Sequence, residues 1–259
     1  MNLFRAAFLL VVVVIMSLEG GFAAHAAVYG NTVVNFNQWS AWTNYGTTQV
    51  NTDFGNTKTL QGGDRIKINA NGELRFFMPK GKYGSADAGG IIKSSITEKT
   101  DYTMEYKMKF SDSFPWSKGG KIPGLSGGAG YTGGNPAWPG DGFSVRLMWR
   151  ENGRLIPYVY HMDQPDSYGD TFGATVDTLK SGQWYTIKYW IKLNSGNNKD
   201  GVLKIYVNDV LKFQKSDIRF RNDNSKIDTI HIANFPGGSD SSWAMKNDGY
   251  VYFDDFKWN

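Results

Sequence analysis

Five side chains near the middle of the chain have the right types for proton chemistry on an acidic sugar. Lys121 stands in Trp116-Ser117-Lys118-Gly119-Gly120-Lys121-Ile122-Pro123-Gly124-Leu125. Ser144 and Arg146 stand in Gly142-Phe143-Ser144-Val145-Arg146-Leu147-Met148-Trp149, and Tyr158 and Tyr160 in Ile156-Pro157-Tyr158-Val159-Tyr160-His161. A guanidinium grips a carboxylate through two parallel hydrogen bonds. Phenols can exchange protons once burial or a nearby cation moves their pKa from its free value of about 10. Such a set can bind and deprotonate an acidic sugar, provided that one surface carries all of it.

The alternation of polar and apolar residues supplies that surface. Ser144 and Arg146 fall on one face of a strand, and Phe143, Val145, Leu147 and Trp149 on the other. Residues 143–161 read as a hairpin whose register decides the site. A two-residue Asn152-Gly153 turn would pair Leu147 with Tyr158 and put both tyrosines on the apolar face. A three-residue Glu151-Asn152-Gly153 loop, a type I turn with Gly153 in the left-handed position, pairs Arg146 with Tyr158 and Ser144 with Tyr160. The second register gathers all four polar side chains and leaves Val159 in the core. Pro157 donates no ladder hydrogen bond, so an irregularity is allowed there.

The rest of the chain after residue 27 reads as strands. Residues 103–110, 184–193, 202–207, 229–233 and 250–256 alternate or are apolar, with turn clusters such as Asn208-Asp209 and Pro236-Gly237-Gly238 between them. No long stretch has helical periodicity, and no linker or repeat divides the chain. Strands with one apolar face must pack sheet on sheet, which predicts a single all-β domain, a two-sheet antiparallel jelly roll. The glycine-rich stretch 119–142 reads as a long ordered loop of functional character.

The order Lys118-Gly119-Gly120-Lys121-Ile122-Pro123-Gly124, then Ser144-x-Arg146, then Tyr158-x-Tyr160 resembles polysaccharide lyase family 14, which holds alginate lyases and glucuronan-cleaving enzymes. Ile122 stands where the family usually has Leu. The resemblance implies a jelly roll with substrate across a concave sheet, and β-elimination on a 1,4-linked uronate polymer. It implies a catalytic set of Lys121, Ser144, Arg146, Tyr158 and Tyr160, with Lys121 the matched lysine and Lys118 its rival. In that chemistry a base takes the C5 proton, the C4 oxygen leaves, and charge spreads into the carboxylate. Preorganised donors aimed at such charge contribute about 3 kcal/mol each. Tyr158 and Tyr160 are base and acid in an order left open. Some family members have a histidine between the lysine motif and Ser-x-Arg; none lies there in this chain.

Lys188, Trp190 and Lys192 share one strand face and are candidate substrate contacts in flanking subsites, or simply a solvated face. A Ser-His-Asp hydrolase is a poor fit, because His161 alternates away from Ser144 and the nucleophile elbow is absent. Glu105 and Asp163 form no evident glycosidase pair. No calcium-loop pattern appears, and neither metal nor cofactor is expected.

The N-terminus reads as a secretory signal: Arg5, the apolar run 6–18, then Ala24-His25-Ala26, with cleavage near Ala26 or Ala27. The expected boundaries are a signal over 1–26 and a lyase domain over 27–259, secreted and off the membrane once cleaved. Cysteine is absent, which removes disulfides and thiol chemistry. A net charge of +4 suits an anionic partner. No Lys/Arg block is present, so acidic polysaccharide is favoured over nucleic acid. The expected partner is a uronate polymer, bound by a monomer. The competing class is a non-catalytic module that binds the same polymer.

Overall fold

Apolar alternation turns one side of each strand inward, and two sheets result. The structure is a computed structural model that describes residues 33–259. The expected signal segment therefore lies outside the described residues.

The first sheet runs in the order β1 (Thr57–Gln61), β4 (Gly90–Lys99), β13 (Ile227–Asn234), β6 (Gly119–Gly128), β7 (Gly142–Arg150), β8 (Arg154–Tyr160) and β9 (Asp177–Thr178). The second runs β12 (Val210–Ile218), β11 (Gly201–Val207), β10 (Trp184–Lys192), β5 (Asp101–Phe110), β14 (Gly249–Trp258), β3 (Leu74–Met78) and β2 (Ile66–Ile68). All neighbours are antiparallel. The sheets pack face to face as the expected jelly-roll sandwich, with Val145, Leu147 and Trp149 of β7 and Tyr106, Ile187 and Tyr189 of β5 and β10 in one core.

Two features of the core position the site. The β6 register shifts between Ile122 and Leu125, a bulge that turns the Pro123 carbonyl inward. Tyr106 and Tyr189, from the opposite sheet, both donate to that carbonyl, at 3.0 and 2.7 Å. A buried backbone acceptor is thereby satisfied and the two sheets are joined beneath Lys121 and Arg146. Trp149 sits fully buried among Phe110, Phe114 and Trp116, with ring centroids 5.3–6.2 Å away. Trp149→Ala should cost about 3–5 kcal/mol by leaving a cavity, to be read as a lowered midpoint in denaturant unfolding.

The hairpin has the three-residue loop. Ser144 pairs with Tyr160, Val145 with Val159 and Arg146 with Tyr158, and the ladder continues through Pro157. The turn differs in detail from a type I turn with one left-handed residue. Both Asn152 (φ 60°) and Gly153 (φ 76°) are left-handed. A side chain at Gly153 would overlap the Leu179 carbonyl, so glycine is required there twice over.

One expected element needs correction. Residues 119–142 are not one loop: 119–128 form β6, a central strand, and the loop spans 129–141. Glycine suits this strand because its neighbours come so close. A Cβ at Gly124 would strike the Val145 carbonyl, and one at Gly120 would meet the Trp149 ring. A short helix also forms at Thr47–Phe54, burying Val50, Asp53 and Phe54. Its eight residues are too few to show a clear period in the sequence.

Candidate active site

Register lines up the outer face of the first sheet in rows. Lys93 on β4 pairs with His231 on β13, and His231 with Gly124 on β6. Gly124 lies against the Cα of Arg146, which pairs with Tyr158. The next row runs Ser95, Thr229, Ser126, Ser144 and Tyr160. A third places Lys121 beside Met148 and Ile156. The five catalytic candidates thus share one face.

Arg146 is 2% exposed, yet its Nε and Nη2 have no hydrogen-bond partner among the described residues. Its guanidinium carbon lies 5.6 and 5.9 Å from the ring centroids of Tyr158 and Tyr160. Burial lowers its pKa, against the pull of the neighbouring phenols. A buried cation with idle donors is costly and suits an incoming anion.

The Lys121 amine sits 3.8 Å above the Tyr158 ring centroid and 3.1 Å from Met148 Sδ. Burial, then the charges of Arg146 and Arg150, push its pKa well below the ordinary lysine value. A larger share of it is therefore the neutral, proton-accepting amine. Tyr158 moves the other way. Burial and the adjacent Tyr160 raise its pKa, only partly opposed by Arg146 and the Gly169 N–H. A phenol so placed keeps its proton and serves better as an acid than as a base.

The remaining two hydroxyls are engaged. Ser144 Oγ donates to the Tyr131 carbonyl at 2.7 Å, and Tyr160 Oη accepts from the Gly134 N–H at 3.2 Å. Both tie the 129–141 loop to the sheet. Tyr158 and Tyr160 hydroxyls stand 3.5 Å apart, and Gly169 packs against both rings.

Other candidates fall elsewhere. Lys118 is exposed at the rim, where it donates to Ser242 Oγ at 2.6 Å and faces Trp243. Lys188, Trp190 and Lys192 share a face as expected, but it is the outer face of the second sheet, across the core from Arg146. They cannot flank this site. Lys188 pairs with Asp209 at 2.7 Å and Glu105 at 3.2 Å, and Trp190 Nε1 donates to Asp101 at 2.8 Å. His161 does turn away from Ser144, to Asp170 at 3.1 Å.

The family model for polysaccharide lyase 14 matches residues 68–256. The chain belongs to polysaccharide lyase family 14. Among solved structures, the alginate lyase Aly36B is 32% identical at a TM-score of 0.79, covering 88% of this chain and 95% of that one. A mutant of Aly36B, in complex with alginate tetrasaccharide, superposes at 0.80. The marine family-14 alginate lyase from Aplysia kurodai is 25% identical at 0.76, over 88% and 98% of the two chains. No curated protein sequence matches the chain.

The lyase carries two residues on this face that the sequence reading passed over. His231 is 1% exposed, with Nδ1 unpartnered among the described residues. Burial, then Arg146 and Lys93, hold its pKa well below the usual imidazole value, so it is neutral near pH 7. Lys93 is pushed down by burial, then by Arg146 and Lys58. The only available signal was the alternation of Ile92-Lys93-Ser94 and Ile230-His231-Ile232, which names a face but not its neighbours. Among the described residues, no three His, Asp or Glu side chains converge to hold a metal.

Proposed function

We propose that this lyase cleaves alginate by β-elimination, with Lys121 as base and Tyr158 as acid. The observation that carries the reading is the buried guanidinium of Arg146, whose idle donors lie beside a low-pKa amine and a high-pKa phenol. The uronate carboxylate takes the Arg146 donors. The Lys121 lone pair removes the C5 proton, whose bonding electrons become the C4–C5 double bond. The C4–O bond breaks, and the leaving oxygen takes the Tyr158 proton. Arg146 holds the charge that accumulates on the carboxylate meanwhile. Ser144 and Tyr160 keep the 129–141 loop and the tyrosine pair in place.

Alginate is favoured over glucuronan by the similarity to Aly36B and to the Aplysia kurodai enzyme. A fungal endo-β-1,4-glucuronan lyase is 12% identical and shares the fold alone. Cleavage within the polymer and secretion after removal of residues 1–26 complete the reading. The test is absorbance in the unsaturated-uronate band on mixing with mannuronate-rich alginate, guluronate-rich alginate and glucuronan. New absorbance is expected with alginate, and mass analysis of the products reports the cleavage mode. Binding without new absorbance from any polymer would make the chain a carbohydrate-binding module instead. Turnover should also survive a chelator such as EDTA, because Arg146 and its neighbouring cations do the neutralising. Loss of turnover, restored by calcium, would contradict that.

A further inference from the structure

The outer face of the second sheet carries a row of its own. Register places Lys67 on β2, Arg75 on β3, Tyr252 on β14, Lys109 on β5 and Trp184 on β10 side by side. Five adjacent strands about 4.8 Å apart make this row about 19 Å long. Two of its three cations, Arg75 and Lys109, are wedged between rings. The Arg75 guanidinium lies 5.2 Å from the Trp42 ring and 5.0 Å from the Tyr250 ring. The Lys109 amine lies 4.7 Å from Trp184 and 5.1 Å from Tyr252. Phe77 stacks on Tyr250 at 5.0 Å, and Trp42 is 56% exposed.

The row differs in charge balance from the strip beside it, although farther along the face Lys204 likewise lies over a ring, Trp190, at 4.9 Å. Lys107 and Lys188 are closed by carboxylates at 2.7 Å. Among the described residues, Lys67 and Arg75 make no ion pair, Arg75 Nε has no partner, and Lys109 has only Glu73, at 3.9 Å. Cations held upright between flat apolar rings suit a polymer that alternates carboxylates with apolar sugar faces. A 1,4-linked uronate chain also advances by about one strand spacing per sugar.

We propose that this row is a second, non-catalytic binding face for the uronate polymer, on the side of the sandwich opposite the cleavage site. The proposal rests on the reading of the first face as a site for that polymer. It gives the lyase two separate grips on one long chain, or on two chains of a gel. The second grip raises retention through effective concentration and leaves the chemistry unchanged. Short oligosaccharides cannot reach both faces and gain nothing from it.

The test compares wild type with Lys109→Ala/Trp184→Ala and with Lys67→Glu. The last reverses a charge without removing packing, so it stays informative if the double variant folds poorly. Retardation is measured in native gels containing alginate, and turnover on an alginate tetrasaccharide. Both variants should lose about fivefold or more in apparent affinity for the polymer, while tetrasaccharide turnover stays within about twofold. Unchanged retardation of Lys67→Glu would overturn the proposal. So would retention of single-stranded DNA by the row with no retention of alginate. Wild type that is retained through the row yet releases no unsaturated product would sink the cleavage reading and support this one.

Discussion

Lys121→Arg should lower turnover by about 10²- to 10⁴-fold and leave polymer affinity nearly unchanged. Arginine keeps the positive charge and the reach, so any role in gripping the carboxylate survives. It cannot present a free lone pair at accessible pH. Near-normal turnover in Lys121→Arg would make Lys121 an electrostatic clamp and move the base elsewhere. The pH profile gives a second reading. Lys121 must be unprotonated to act, so turnover rises as pH climbs through its pKa. That pKa is depressed from 10.5, which brings the rising limb below the ordinary lysine range. Tyr158 must be protonated, and its pKa is raised from 10.0, so the falling limb lies above the ordinary tyrosine range. The two shifts open a window of activity that unperturbed groups would not have, since free lysine and tyrosine titrate almost together.

Tyr158→Phe and Tyr160→Phe should separate cleanly. Tyr158→Phe removes the proton donor but keeps the ring beneath Lys121, so turnover should fall about 10²- to 10⁴-fold with KM little changed. Tyr160→Phe removes the acceptor for the Gly134 N–H and loosens the 129–141 loop at that point, while Ser144 and Gln164 still hold it. Its main effect should be on KM, with a smaller loss in turnover. Steady-state kinetics on one defined alginate fraction tests both. Equal losses of turnover from the two variants would mean that the hydroxyls act as a unit, and that the acid is the pair.

The sequence made the hairpin legible because period-two alternation and a three-residue turn fix register locally. The faces of β7 and β8 followed, and with them the company of Arg146 and Tyr158. The strand character of 119–128 was hidden, because glycines have no side chains to alternate and their use here is close approach by Val145 and Trp149. Lys93 and His231 were hidden for a different reason. They join Arg146 through the β4–β13–β6 pairings, between strands far apart in the chain. The shared face of Lys188, Trp190 and Lys192 was read correctly. Which sheet carries that face was not legible, because a strand's own period says nothing about its neighbours.

The three-residue turn at Glu151–Gly153 sets where the chain tolerates change in length. Adding or removing one residue there would rotate β8 by half a period, sending Tyr158 and Tyr160 into the core and Val159 out to solvent. No compensating shift is available, because Trp149 and Leu155 lock the base of the hairpin from inside. The 129–141 loop carries no strand register, so its length is not tied to the pleat; it is held instead by side-chain hydrogen bonds from Ser144, Tyr160 and Gln164 and by Ala137, buried against the tyrosine pair. A library that varies the length of 151–153 should therefore contain almost no active members.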